Sequence, residues 1–94
     1  MIRSIRSKAL SKALAHDDWS GVKACHILKL KSVLPRLSKA ASLGDISGMY
    51  GFHKYEVCRS AKAKRYALWV DARWRLLFRF RDGGIEDLEY VNYH

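Results

Sequence analysis

The sequence predicts an α+β fold, with helices in the first half packed on a small, mostly antiparallel sheet in the second. Three observations predict it. Apolar residues recur at helical spacing up to about Ala41. From Tyr50 onward they alternate with polar residues at period two. Between the last two alternating runs stands Asp82-Gly83-Gly84, whose glycines supply the left-handed backbone a hairpin turn needs. The chain has 94 residues and shows neither an internal repeat nor a dividing linker, so one domain over 1–94 is expected.

The elements follow in order. Ile2 to Ile5 can form a short strand. Ser7 to Ala15 is rich in Ala, Leu and Lys, all good helix formers, and Leu10 with Leu14 gives it an apolar face at i, i+4. His16-Asp17-Asp18 and Ser20-Gly21 break that pattern as a loop does. A longer helix is expected from about Val22 to Ala41, with Ile27, Leu30, Leu34, Leu37 and Ala41 as its stripe. Pro35 interrupts it, deleting one backbone hydrogen bond at a cost of roughly 3 kcal/mol, so a kink or a restart is expected there. Tyr50 to Tyr55 is the first sheet segment. Arg65 to Asp71 is the next, with Tyr66, Leu68 and Val70 on one face. Trp74 to Arg81 follows, with Trp74, Leu76, Phe78 and Phe80 on one face and Arg75, Leu77, Arg79 and Arg81 on the other. This reads as a half-buried strand whose solvent face is cationic. Ile85 to Tyr93 is the last strand.

Composition narrows the function. Eighteen Lys and Arg oppose nine acids, for a net charge of +9. Such a field draws phosphate backbones and releases their counterions. Cys25 and Cys58 form no C-x-x-C pair and have no histidines at zinc spacing, so two reduced thiols and no metal site are expected. The basic start Met1 to Arg6 is followed by no apolar run, so no signal peptide is read there, and no apolar stretch is long enough to span a membrane. A cytoplasmic protein is expected. Phosphate-binding loops, dinucleotide fingerprints, metalloprotease helices and nucleophile elbows are all absent.

The residues alone read as a small basic α+β RNA binder, and one chemistry open to such a chain is metal-free, cofactor-free cleavage of RNA. The ribose 2′-OH attacks the adjacent phosphorus, a base takes its proton, an acid protonates the leaving 5′-oxygen, and cations stabilise the transition state. His53, in the first sheet segment, and His94, the last residue, titrate in the range this work needs. The α-carboxylate of His94 favours its imidazolium form. Either imidazole can equally be an ordinary structural or exposed histidine, and His16 and His26, in the helical half, are read as such. Arg75 offers a planar fork for a phosphate. Tyr93 can stack on a base or donate its hydroxyl. Arg59, Lys62, Lys64 and Arg65 place four cations in seven residues, either a solvated loop or a phosphate-binding one. Lys54, Arg73, Arg79 and Arg81 extend this set of candidate RNA contacts.

Four pieces of the chain resemble the HigB toxins of the RelE superfamily: the opening Met1-Ile2-Arg3-Ser4, the block Val70 to Phe80 with Trp74-Arg75 at its centre, the Asp82-Gly83-Gly84 turn, and the ending Tyr90-Val91-Asn92-Tyr93-His94. Their order and spacing match over nearly the whole chain. The resemblance implies a RelE-like fold, ribosome-dependent endoribonuclease activity on mRNA, a helix-turn-helix antitoxin partner of the HigA type, and operator DNA bound only through that complex. It implies catalytic roles for His53, Arg75, Asn92, Tyr93 and His94. Asn92 stands where the family has Asp, and an amide can orient a neighbour but cannot take a proton. The family's turn lysine has no single counterpart, so Lys54, Arg59, Lys62 and Lys64 share the candidacy. Two other functions fit a basic α+β chain: a non-nuclease toxin of the related ParE type acting on DNA gyrase, and a non-catalytic module that binds RNA or the ribosome.

Overall fold

Helix and strand formers fall in the predicted order in a computed structural model of the chain, which describes residues 1–48, the backbone of 52–55, and residues 65–92. The elements are α1 (Lys8–His16), a 3-10 turn (Ala24–His26), α2 (Ile27–Lys39), α3 (Leu43–Ser47), β1 (Phe52–Tyr55), β2 (Arg65–Trp69), β3 (Trp74–Arg81) and β4 (Gly84–Asn92). The four strands form one antiparallel sheet in the order β1-β2-β3-β4. This is the α+β arrangement expected, consistent with a RelE-like fold.

The helices cover one face of the sheet. Leu10 of α1, Leu30, Leu34 and Leu37 of α2 and Ile46 of α3 meet Leu68, Leu76, Phe78, Ile85 and Leu88 in a single buried cluster. Each such side chain, removed from water, contributes about 1.5–3 kcal/mol. The period-two reading of β3 holds here: Leu76 and Phe78 are buried in the cluster and Trp74 packs against it.

Several boundaries differ from expectation. A 3-10 turn precedes α2, which therefore starts at Ile27 and not near Val22. Its buried stripe ends on Ala40, while Ala41 is exposed. α2 also runs through Pro35 without a break in its assignment. Pro35 and Lys31, whose carbonyl the ring frees, both lie on the exposed side, where water can satisfy that carbonyl. Leu14 does not join Leu10 in the core and is 43% exposed. α3 was not anticipated; the Asp45 carboxylate starts it by accepting the backbone N–H groups of Ala41 (3.0 Å) and Ser42 (3.2 Å).

The N-terminal segment pairs with β4, though not as a regular strand. Ile2 bridges Ile85 and Ile5 bridges Leu88, both parallel and isolated. The spacing of three comes from β4, which carries an extra residue between the Leu77↔Glu89 and Arg79↔Glu86 pairs, with Asp87 at φ 53°. That bulge brings both Ile85 and Leu88 to the core face. The β3–β4 hairpin turns on Asp82 (φ 50°) and Gly83 (φ 73°), so an aspartate takes one of the two left-handed positions. Arg3 lies over the next residue, donating to the carbonyls of Arg81 (2.8 Å) and Asp82 (2.7 Å). A side chain at Gly84 would meet the Arg3 guanidinium at 2.6 Å.

Candidate functional site

The β2–β3 connection, residues 70–73, is the most heavily tied turn among the described residues. Two chain-local bonds shape it: Asp71 Oδ1 accepts the backbone N–H groups of Arg73 and Trp74, each at 2.8 Å. An aspartate opening a turn does this readily. The helical layer then grips the turn from below. His26 Nε2 donates to Asp71 Oδ2 at 2.6 Å, and Lys29 Nζ donates to the carbonyl of Val70 at 3.1 Å. His26 is 3% exposed. Its Nδ1 lies 2.6 Å from the hydroxyl of Tyr90, which accepts the Lys23 N–H at 3.3 Å. With Nε2–H committed to a carboxylate, Nδ1 accepts from the Tyr90 O–H, and every member of the chain is satisfied. Trp74 stacks on Tyr90 with ring centroids 4.5 Å apart and meets the His26 ring edge-on.

Three hydrogen bonds, the largest contribution coming from His26, hold the Asp71 carboxyl well below the usual carboxylate value of 3.8. Because the folded value lies below the unfolded one, this stabilisation is present above about pH 4 and fades as the pH falls further. Asp71→Asn should therefore flatten the acid limb of a plot of Tm against pH. Parallel acid limbs for variant and wild type would show that the turn does not carry this linkage. Burial raises the Tyr90 phenol above its ordinary value of 10.0.

Arg75 is the residue this turn positions. Its Nη1 donates to the carbonyls of Asp71 (2.6 Å) and Trp74 (3.1 Å). Its guanidinium carbon sits 4.0 Å from the centre of the Trp69 ring, its cross-strand partner. Both lie on the sheet face turned away from the helices, and Trp69 is 40% exposed.

That outer face is less uniformly cationic than expected. Ala67 and Leu77 are buried within it. The carboxylates of β4 counter three of the strand arginines: Glu89 faces Arg65 (3.6 Å), Asp87 faces Arg79 (3.7 Å) and Glu86 faces Arg81 (3.9 Å). Glu89 also meets Arg6 at 3.1 Å, and Glu86 meets Arg3 at 3.6 Å. Among the described residues, Arg75 is the strand arginine with no carboxylate within 4.0 Å. Arg73 is exposed beside it. Among the described residues, positive charge is thus left without a carboxylate partner at the Trp69–Arg75 end of the sheet.

The other candidates are placed unevenly. His53 pairs with Ala67 on β2, and Ala67 with Leu77 on β3. Its row therefore lies two residues along the strands from the Trp69–Arg75–Val91 row, roughly 7 Å. Asn92 is exposed and pairs with Trp74, so it falls on the opposite side of the pleat from Arg75. The side chains of His53 and Lys54, and all of Arg59, Lys62, Lys64, Tyr93 and His94, lie outside the described residues, as does Cys58. Cys25 is exposed as a free thiol. No group of three metal-ligating side chains comes together, and no helix is long and apolar enough to cross a membrane, among the described residues. Sequence reasoning gave no site role to Trp69, Asp71 or Tyr90, and it read His26 as an ordinary structural or exposed histidine, the structural place it takes here. The Asp at the head of a turn was a readable signal, whereas the His26 and Tyr90 contacts span 45 and 64 residues and leave no local trace.

Fold and site together define a small basic α+β protein whose sheet carries an aromatic–guanidinium pair on the face opposite its helices. No family model matches the chain. Among curated proteins it is similar to the endoribonuclease HigB of Proteus vulgaris, 26% identical over 94 residues, an alignment covering 100% of both chains.

Proposed function

We propose that this chain is the toxin of a toxin–antitoxin pair, an endoribonuclease that cuts mRNA on the ribosome. The end-to-end similarity to an endoribonuclease carries this reading. Arg75, which has no carboxylate partner among the described residues and lies beside an exposed aromatic, supports it, because RNA recognition needs both a cation and a π-face. The reaction is transesterification by the ribose 2′-OH. His53 and His94 share the proton transfers, one taking the 2′-OH proton and the other supplying the proton for the leaving 5′-oxygen. Arg75 stabilises the charge that builds on the phosphate oxygens. Tyr93 orients the nucleotide. Arg73 and the basic residues of 54–65 hold the RNA backbone, and Arg79 and Arg81, countered by β4 acids, contribute less. The partner is a helix-turn-helix antitoxin, and the chain acts in the cytoplasm as one domain.

The test is to map mRNA 5′ ends after incubation with purified protein, with and without ribosomes. New ends that require both protein and ribosomes are expected, and intact message in both arms would overturn the proposal. The position of Asn92 sharpens it. An amide can hydrogen-bond but cannot take a proton, so Asn92 acts by position. Asn92→Asp should preserve or raise the cleavage rate in the same assay. A large loss would count against assigning Asn92 to the place of the family's Asp.

A further inference from the structure

We propose that Trp69 and Arg75 form a nucleobase-stacking subsite for single-stranded RNA. In it a base lies on the exposed indole, and the guanidinium takes the adjoining phosphate. The proposal deepens the endoribonuclease reading above and rests on it for the identity of the ligand.

Four features carry it. First, the pair is built in register: Trp69 and Arg75 are direct cross-strand partners, and the guanidinium lies 4.0 Å from the ring centre. A cation held over an indole is attracted by the ring's quadrupole. Second, the posture of Arg75 is set from beneath. Nη1 is committed to the Asp71 and Trp74 carbonyls, while Nε and Nη2 have no acceptor among the described residues. The turn supplying those carbonyls is tied to the helical layer through His26 and Lys29. The guanidinium is therefore fixed before any ligand arrives, which lowers the entropic cost of binding. Third, no carboxylate lies within 4.0 Å of it among the described residues, whereas the neighbouring strand arginines face Glu86, Asp87 and Glu89. A packing role alone would not require that difference. Fourth, the floor beside the indole is low. Ala67, two residues before Trp69 on the same face, has only a methyl group, and the indole is 40% exposed. Ala67 is also the register partner of His53. The stacked base therefore belongs to a nucleotide flanking the one that is cut. Because every base has a π-face, the subsite accepts any base.

The experiment uses a 2′-O-methyl hexaadenylate, which cannot be cleaved because its 2′ oxygen is blocked. Binding is followed by fluorescence anisotropy of an end label and by quenching of tryptophan emission. Base–aromatic stacking is worth roughly 5- to 150-fold in affinity per base. Trp69→Thr, which suits a strand, should weaken binding by that factor. Trp69→Phe should keep most of the affinity and lose the quenching. Unchanged affinity in Trp69→Thr overturns the proposal, as does Trp69→Phe falling as far as Trp69→Thr. If Trp69→Thr fails to fold, the Phe variant decides alone: quenching that persists without Trp69 overturns the subsite. The two readings separate cleanly. Trp69-dependent oligonucleotide binding by a protein that leaves ribosome-bound message intact would keep the subsite and reject the nuclease. Cleavage together with Trp69-independent binding would do the reverse.

Discussion

Deleting His94 should lower cleavage of ribosome-bound message by roughly 10²–10⁴-fold, the usual worth of a general acid or base. The expectation follows from the resemblance of the Tyr90–His94 ending and from the likeness to an endoribonuclease. Sheet geometry adds a reason. β4 lies beside β3, with Val91 opposite Arg75, so the chain leaves β4 next to the row that holds the guanidinium. The check is single-turnover primer extension on a programmed ribosome, together with growth after induction. Growth arrest that survives the deletion would remove His94 from the chemistry. His94→Gln separates proton transfer from simple contact, because glutamine can hydrogen-bond but cannot shuttle a proton near neutrality. It should be nearly as inactive as the deletion.

Arg75→Ala should reduce the same rate by roughly 10²–10³-fold, the typical cost of removing one preorganised donor at a developing oxyanion. Its effect on stability is expected to be much smaller. The two carbonyls released, of Asp71 and Trp74, belong to a part-buried turn still held by His26, Lys29 and the backbone bonds of Val70 and Asp71 to the Trp74 carbonyl. Losing such bonds costs on the order of 1 kcal/mol. Arg75→Lys should recover only part of the rate. A lysine keeps the charge but lacks the plane that lies against Trp69 and the fork that meets the turn carbonyls. A Tm that collapses in parallel with activity would mean that Arg75 serves the fold. An Arg75→Lys variant with full activity would mean that charge alone suffices.

Much of the fold was legible without coordinates, because its determinants repeat over short distances. Leu30, Leu34 and Leu37 mark the buried side of α2, and Leu76 and Phe78 mark the core side of β3. Where a long-range partner decided the outcome, local pattern misled. Ile2 and Ile5 looked like a strand but pair singly, since their spacing answers a bulge in β4 more than eighty residues later. Leu14 looked like core by its spacing from Leu10, yet α1 buries Leu10 and Ala13 instead. The cationic face read from Arg75, Arg79 and Arg81 ignored the acids that pairing brings opposite. Two of those three arginines are countered by Asp87 and Glu86.

The sequence by itself determined the class of fold, the hairpin between the last two strands, the basic charge, and the set of residue types that suits RNA cleavage. These depend on periodicity, turn chemistry and composition, which are properties of neighbours along the chain. Only the tertiary structure decided which strand arginine has no carboxylate partner among the described residues, that Trp69 lies against it, and that a buried His26 holds the turn beneath both. Those outcomes depend on which side chains folding brings within a few ångströms of each other. A carboxylate neutralises a guanidinium, and a ring accepts it, only at that range.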